Sequence, residues 1–153
     1  MSYTAIIDEI YDIIDDANVG NNIYKYDRLE TTEIGFRNAF KEKDTALIRA
    51  WTITRSRLTE DTEASRTNRV LSTWIIRGYY SLRKSGETET TFQGIIDTLR
   101  TAFREKPSLS GTCLTCSPLQ LDTIESRMFG SILCHYMETR LVTEEEQTFA
   151  ETE

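Results

Sequence analysis

Two long apolar runs on either side of a polar segment decide the fold. The runs are ALIRAWTITRSRL (residues 46–58) and RVLSTWIIRGYYSL (residues 69–82), and the segment between them is TEDTEASRTN (residues 59–68). Both runs are rich in β-branched and aromatic residues, which fit a pleated, half-buried surface. We therefore expect an antiparallel hairpin. Because each run is longer than a usual strand, we also expect the strands to extend beyond a compact sheet.

The polar segment is predicted to be a loop. It contains no apolar residue larger than Ala64 and is too long for a two-residue turn. A long polar tip of this kind is either an unordered surface loop or an arm that contacts a partner. The candidate interface residues of such an arm are all charged: Arg57, Glu60, Asp61, Glu63 and Arg66.

The second run carries apolar side chains on both of its faces. Alternation assigns five of them to the core side: Val70, Trp74, Ile76, Tyr80 and Leu82. The other face mixes Leu71, Ile75 and Tyr79 with polar residues, so we expect another part of the protein or another subunit to cover it in part. Three arginines of the first run share the side of Trp51: Arg49, Arg55 and Arg57. We expect these arginines to be solvated and not stacked on the indole ring.

Two amphipathic helices are predicted, over residues 4–17 and 90–105, from apolar residues at three- and four-residue spacing. Thr90 or Thr91 is the expected N-cap of the second helix, and Pro107 follows its end. A short strand is expected at residues 23–28, an irregular segment at 29–40, and turns at 41–44 and 83–89.

The C-terminal third is predicted to add strands to the sheet. Residues 108–118 are expected to form a loop, residues 119–125 a strand and residues 129–142 a third long strand, with a frayed acidic tail from Thr143. This order predicts an α+β fold: a mainly antiparallel sheet with a long hairpin, flanked by two helices on one face. We assign residues 1–146 to one domain and residues 147–153 to an acidic tail.

Composition narrows the class of protein. The chain has 153 residues, a mass of 17.7 kDa and a net charge of −7, which is typical of one globular domain. A negative protein without a basic run is disfavoured as a nucleic-acid binder. No apolar run reaches the length of about 18 residues that suggests a membrane span. The acidic N-terminal region is unlike a signal peptide, so we expect a cytoplasmic protein with reduced thiols.

No pattern in the sequence predicts catalysis. Cys113 and Cys116 form a C-x-x-C pair, but Cys134 and His135 are adjacent on a predicted strand and point to opposite faces, so four zinc ligands do not converge. His135 is expected to be a structural side chain. The sequence contains no G-x-S-x-G turn and no glycine-rich phosphate loop. We expect no enzyme activity, catalytic residue, cofactor or metal.

The order of features over residues 3–146 resembles that of the tail terminator, or tail completion, proteins of long-tailed bacteriophages and related particles. After the N-terminal amphipathic helix, the features are IYKY (23–26), AWTITR (50–55) with its polar segment, WIIRGYYSL (74–82), TTFQGIIDTLRTAF (90–103), GTCLTCSPLQL (111–121) and FGSILCHYMETRLVTEEE (129–146). The resemblance lies in this pattern and not in a catalytic motif.

The resemblance implies a subunit of a homo-hexameric ring in the virion, assembled in the cytoplasm of a bacterial host. The ring would cap the last ring of tail tube protein, stop tube polymerisation and offer a surface to the head–tail connector or stopper protein. DNA would only pass through its lumen, and no membrane would be involved. Two alternatives stay open: another neck or tail component, such as a head-closure stopper or tail tube protein, and a small soluble ligand-binding or enzymatic α+β domain.

Overall fold

The computed structural model describes residues 2–20, 22–26, 35, 40–41, 48–82, 87–129 and 132–148. In chain order, the elements are α1 (Ser2–Asp16), β1 (Asn22–Tyr24), β2 (Arg49–Ala64), β3 (Thr67–Ser81), α2 (Glu87–Arg104), β4 (Thr115–Cys116), β5 (Gln120–Phe129) and β6 (Ile132–Thr148). The fold is α+β, as the sequence predicts. None of the described helices is long and apolar enough to cross a membrane.

The described strands form one mainly antiparallel sheet. Its order is β1-β2-β3-β6, and both β4 and β5 pair with β6 at different points along that strand. The β1–β2 pair is parallel, and the other pairs are antiparallel. β3 therefore lies in the centre, with a long partner on each side.

The main core lies between the two helices and one face of the sheet. The isoleucine stripe of α1 and the apolar stripe of α2 pack against Trp51, Trp74 and Ile76. Both indole N–H groups find acceptors: Trp51 Nε1 donates to the Val19 carbonyl oxygen at 3.2 Å, and Trp74 Nε1 donates to Thr143 Oγ1 at 2.9 Å. Burial of each large apolar side chain contributes about 1.5–3 kcal/mol to the stability of the folded state. The two hydrogen bonds of the indole groups leave neither buried N–H donor unpaired.

A second apolar cluster lies on the opposite face of the sheet, at one end. Its buried members are Phe40, Ile48, Ala50, Ile132 and Cys134. Tyr79 packs against them, with its ring centroid 4.8 Å from that of Phe40. The expectation that β3 is apolar on both faces is therefore correct, and part of the covering comes from this chain itself.

The predicted loop over residues 59–68 is wrong. β2 continues to Ala64 and β3 begins at Thr67, so the turn is only Ser65 and Arg66, with Arg66 at φ 66°. The frayed tail predicted from Thr143 is also wrong, because β6 runs to Thr148 and pairs with Thr67. Polar residues continue these strands because each has a ladder partner in register, which local composition does not reveal.

Three smaller boundaries also differ from the prediction. α2 begins at Glu87, so Thr90 and Thr91 lie inside the helix and do not cap it; acidic side chains in its first turn suit the helix dipole. Phe129 ends β5 and does not open the last strand. The strand predicted at residues 23–28 is shorter, because β1 ends at Tyr24, whereas the predicted helix at 4–17 is confirmed. The predictions for residues 29–34, 36–39, 42–44 and 83–86 lie outside the described residues.

Candidate functional site

The far part of the β2–β3 hairpin is the first candidate surface. We call residues 56–73 the hairpin extension. In β2, most side chains from Ser56 onward are exposed, whereas residues 50–53 of the same strand are buried. β6 supports the extension from the other side, with Thr73 opposite Val142 and Thr67 opposite Thr148. The extension is therefore an ordered three-stranded ribbon where the sequence predicted a loop.

The five predicted interface residues all lie on this extension and are exposed, but they do not form one cluster. A register shift between Arg55 and Arg57 moves Arg57 to the face opposite the helices, where it pairs with Thr73. Asp61 lies on that same face. Glu60 lies on the helix face, accepting a hydrogen bond from Asn68 Nδ2 at 3.0 Å. Glu63 falls in a second register shift and Arg66 in the turn.

Arg55 differs from the solvated arginine that the sequence predicts. Its guanidinium lies 4.8 Å from the ring centroid of Tyr3 and 5.9 Å from that of Trp74. The Tyr3 ring itself stacks on Trp74, with 5.6 Å between centroids. Through these contacts, the first turn of α1 packs against the base of the hairpin extension. A cation–π pair at an exposed site contributes about 0.5–1 kcal/mol to stability.

The second candidate surface, which we call the outer face, is the side of β3 and β6 that points away from the helices. Its apolar centre consists of Leu71, Ile75 and Val142, all partly exposed. No helix or strand of the described residues packs over this centre. Two ion pairs flank it: Arg77 Nε lies 3.1 Å from Glu138 Oε1, and Arg69 Nε lies 2.8 Å from Glu144 Oε1.

An apolar centre with a charged rim is typical of a protein–protein interface. Beyond Arg77, aromatic side chains pack around Tyr79 on the same side of the sheet. There the Tyr136 hydroxyl donates a hydrogen bond to Glu138 Oε1 at 2.9 Å. The pKa of Tyr136 is raised to about 12, mainly by burial and to a smaller extent by the neighbouring Glu138. Beyond Arg77, this side of the sheet is therefore covered by aromatic side chains of the chain itself.

A third surface lies on the opposite side of the sheet, at its β5–β6 edge. We call it the edge patch, and its members are large apolar side chains that are 42–56% exposed: Ile124, Met128 and Leu133. Met128 and Leu133 face each other across the β5–β6 ladder. Grouped exposed apolar side chains mark interaction sites more often than single ones do.

His135 has the environment of a structural side chain. Its Nε2 lies 2.9 Å from Thr88 Oγ1, and its ring stacks on Phe92 with 5.4 Å between centroids. Burial lowers the pKa of His135, an effect that the charge of Glu89 partly opposes. The imidazole is consequently neutral near pH 7.

The C-x-x-C pair lies where β4 meets β6, and its thiols are free. Burial raises the pKa of Cys113 to about 11 and that of Cys116 to about 12, so both stay protonated and are weak nucleophiles at neutral pH. Cys134 packs in the cluster on the other side of the sheet. In the described part of the chain, no group of three or more His, Cys, Asp or Glu side chains is arranged to hold a metal ion.

Glu145 differs from the solvated acidic residue that the sequence predicts. Glu145 is only 6% exposed. The signal was available in the alternation of β6, because Glu145 shares the side of Leu141 and Thr143, both fully buried. The sequence did not show that a distant loop folds over this end of the strand.

No protein-family model matches the chain, and no curated protein matches its sequence.

Proposed function

We propose that this protein is a structural component of a phage-like particle that caps the completed tail tube as a closed, hexameric ring of identical copies. The ring ends tube polymerisation and forms the joining surface for the head connector. The observation that carries the proposal is the presence of two partly apolar surfaces, the outer face and the edge patch, on opposite sides of one sheet.

A closed ring requires two different surfaces on each subunit, because each copy contacts its two neighbours with different patches. The outer face and the edge patch meet this requirement. The outer face of one copy has an apolar centre of Leu71, Ile75 and Val142. This centre would bury Met128 and Leu133 in the edge patch of the neighbouring copy. The flanking Arg69–Glu144 and Arg77–Glu138 pairs would lie at the rim, where charges favour one register over others.

The hairpin extension supports a contact along the tube axis. It is ordered by β6, it is polar, and its charged residues lie on both faces, so it can contact a partner without a large apolar patch. We propose that Arg57, Glu60, Asp61, Glu63 and Arg66 contact the tail tube protein or the connector. The net charge of −7 suits a lumen through which DNA slides without binding, because phosphates are repelled.

Tail length tests this proposal. Particles produced without the protein should carry tails that continue beyond the normal length, because nothing stops addition of tube subunits. Supplying the protein from a plasmid should restore uniform tails. Tails of normal length that fail to join heads would instead favour a head-closure stopper, and an absence of any tube would favour a tail tube protein.

A further inference from the structure

A concavity of about 150 Å³ lies between the end of α2 and residues 116–119, and we call it the α2 pocket. Hydrogen bonds of the main chain hold its walls in place. The Cys116 N–H donates to the Pro107 carbonyl oxygen at 2.7 Å, and the Ser117 N–H donates to the Val142 carbonyl oxygen at 2.9 Å. The pocket is therefore built by ordered backbone on both of its sides.

The inner part of the α2 pocket is apolar. Phe103 is only 4% exposed and belongs to the main core, and Cys116 and Leu119 pack against the same core. Pro107 and Pro118 also line the pocket and offer no N–H donor. This lining would bury the apolar body of a ligand.

The charged side chains of the pocket lining are two exposed arginines, Arg100 and Arg104, which lie one turn apart on α2. Arg100 Nη1 lies 3.3 Å from Asp97 Oδ1 of the same helix, but the two side chains are 45% and 74% exposed, and such pairs contribute little. Arg104 forms no ion pair with a carboxylate of the described residues. In a chain of net charge −7, this pocket therefore offers two cations to an anion.

The size and the lining of the α2 pocket select the kind of anion. Guanidinium groups bind carboxylates through paired N–H donors. The volume is below the range of roughly 300–1,000 Å³ that is typical of drug-sized ligands, so the apolar body must be short. The side chain of an aspartate or glutamate would nevertheless leave the apolar lining unfilled, because its aliphatic part is shorter still. The C-terminal pole of α2 disfavours an anion, so the carboxylate needs both guanidinium groups.

We propose that the α2 pocket binds a small free carboxylic acid in its ionised form. The carboxylate contacts Arg100 and Arg104, and a short aliphatic or single-ring body packs against Phe103 and Leu119. This binding site does not depend on the tail-terminator function, because the pocket lining shares no residue with the hairpin extension, the outer face or the edge patch.

The test is a titration of the isotope-labelled wild-type protein with hexanoate, followed by the amide shifts in nuclear magnetic resonance spectra. The proposal predicts saturable shifts at residues 103–104 and 116–119, and nuclear Overhauser contacts between the hexanoate chain and the Phe103 ring. Hexan-1-ol lacks the charge and acetate lacks the chain, so each should bind at least about tenfold more weakly than hexanoate.

Arg104→Gln should weaken hexanoate binding at least about tenfold, because a charge-assisted contact is lost. The matched control is Arg57→Gln, which removes the same charge from an exposed arginine that does not line the pocket and should change binding less than about twofold. Circular dichroism checks that both variants fold.

The proposal is overturned if the hexanoate shifts do not saturate or lie outside the pocket, or if acetate or hexan-1-ol binds as tightly as hexanoate. It is also overturned if Arg57→Gln weakens binding as much as Arg104→Gln does. The comparison of the three ligands uses the wild-type protein alone, so it decides the proposal even if Arg104→Gln fails to fold.

Discussion

Gly78 lies directly opposite Trp51 in the β2–β3 ladder, and the indole ring occupies the space that a side chain at position 78 would need. A Cβ at Gly78 would approach Trp51 Cζ3 to 2.5 Å. Trp51 cannot easily retreat, because it is 2% exposed and its Nε1 is bonded to Val19. Position 78 therefore has no room for a side chain.

Gly78→Ala should therefore destabilise the protein. We expect a loss of about 1–3 kcal/mol in the free energy of unfolding, the usual cost of overpacking a well-packed core. Chemical denaturation measures it. The matched control is Gly94→Ala in α2, where an added Cβ meets nothing within 4 Å and should stabilise the helix by about 0.5–1 kcal/mol. Equal effects at both positions would contradict this account of the core.

Arg55 and Tyr3 should be energetically coupled. The guanidinium lies over the Tyr3 ring, which in turn stacks on Trp74. A double-mutant cycle with Arg55→Ala and Tyr3→Ala should give a coupling of about 0.5–1 kcal/mol in unfolding free energy. Arg57→Ala, beyond the register shift and on the other face, should show no coupling to Tyr3. A coupling near zero for Arg55 would mean that the stacked arrangement does not persist in solution.

His135 should make stability depend on pH in the weakly acidic range. Its pKa in the folded protein is lowered below the ordinary 6.5 by burial, so the unfolded chain binds the proton more readily. The contribution is therefore fully present above about pH 6.5 and is lost as pH falls from there toward the folded pKa. His135→Gln should lose less stability than wild type between about pH 7.5 and 5.5. An imidazole titration midpoint above 6.5 would contradict this prediction.

Substitutions on the two apolar surfaces should separate the two sides of the proposed ring contact. Ile75→Glu in the outer face and Met128→Glu in the edge patch should each weaken self-association at least tenfold, as measured by sedimentation. Leu58→Glu, at an exposed apolar residue of the hairpin extension, is the control and should leave self-association unchanged. Circular dichroism checks that all three variants fold.

Mixing the two variants provides a sharper result. In a heterologous ring, Met128→Glu retains an intact outer face and Ile75→Glu retains an intact edge patch, so an equimolar mixture should form dimers that grow no further. An interface that pairs each surface with itself would behave differently. Homodimers of either variant alone, with none gained on mixing, would exclude the head-to-tail contact.

Local pattern was sufficient to predict part of this fold. The isoleucine spacing of α1 and the alternation of Trp74 and Ile76 in β3 both reflect burial on one face, and both predictions are correct. The hairpin extension was not predictable in the same way. Its order depends on pairing between Thr67 and Thr148, which are far apart in sequence, and polar side chains there resemble those of a loop.

The candidate surfaces were less predictable than the fold, because they depend on register and on distant packing. The face occupied by Arg57 follows from one extra residue, Ser56, between it and Arg55. The burial of Glu145 follows from a loop that is about thirty residues away in the chain, near Cys113. Neither the face of Arg57 nor the burial of Glu145 can be predicted from local composition, although the alternation of β6 does place Glu145 on the core side.

We propose that this protein caps the tail tube at the junction with the head. The most direct measurement is to tag the C-terminus, purify particles from the source and locate the tag by electron microscopy. The account predicts a single label at the head–tail junction of each particle. Labels along the tail or at its far end would contradict it, as would the absence of the protein from every particle.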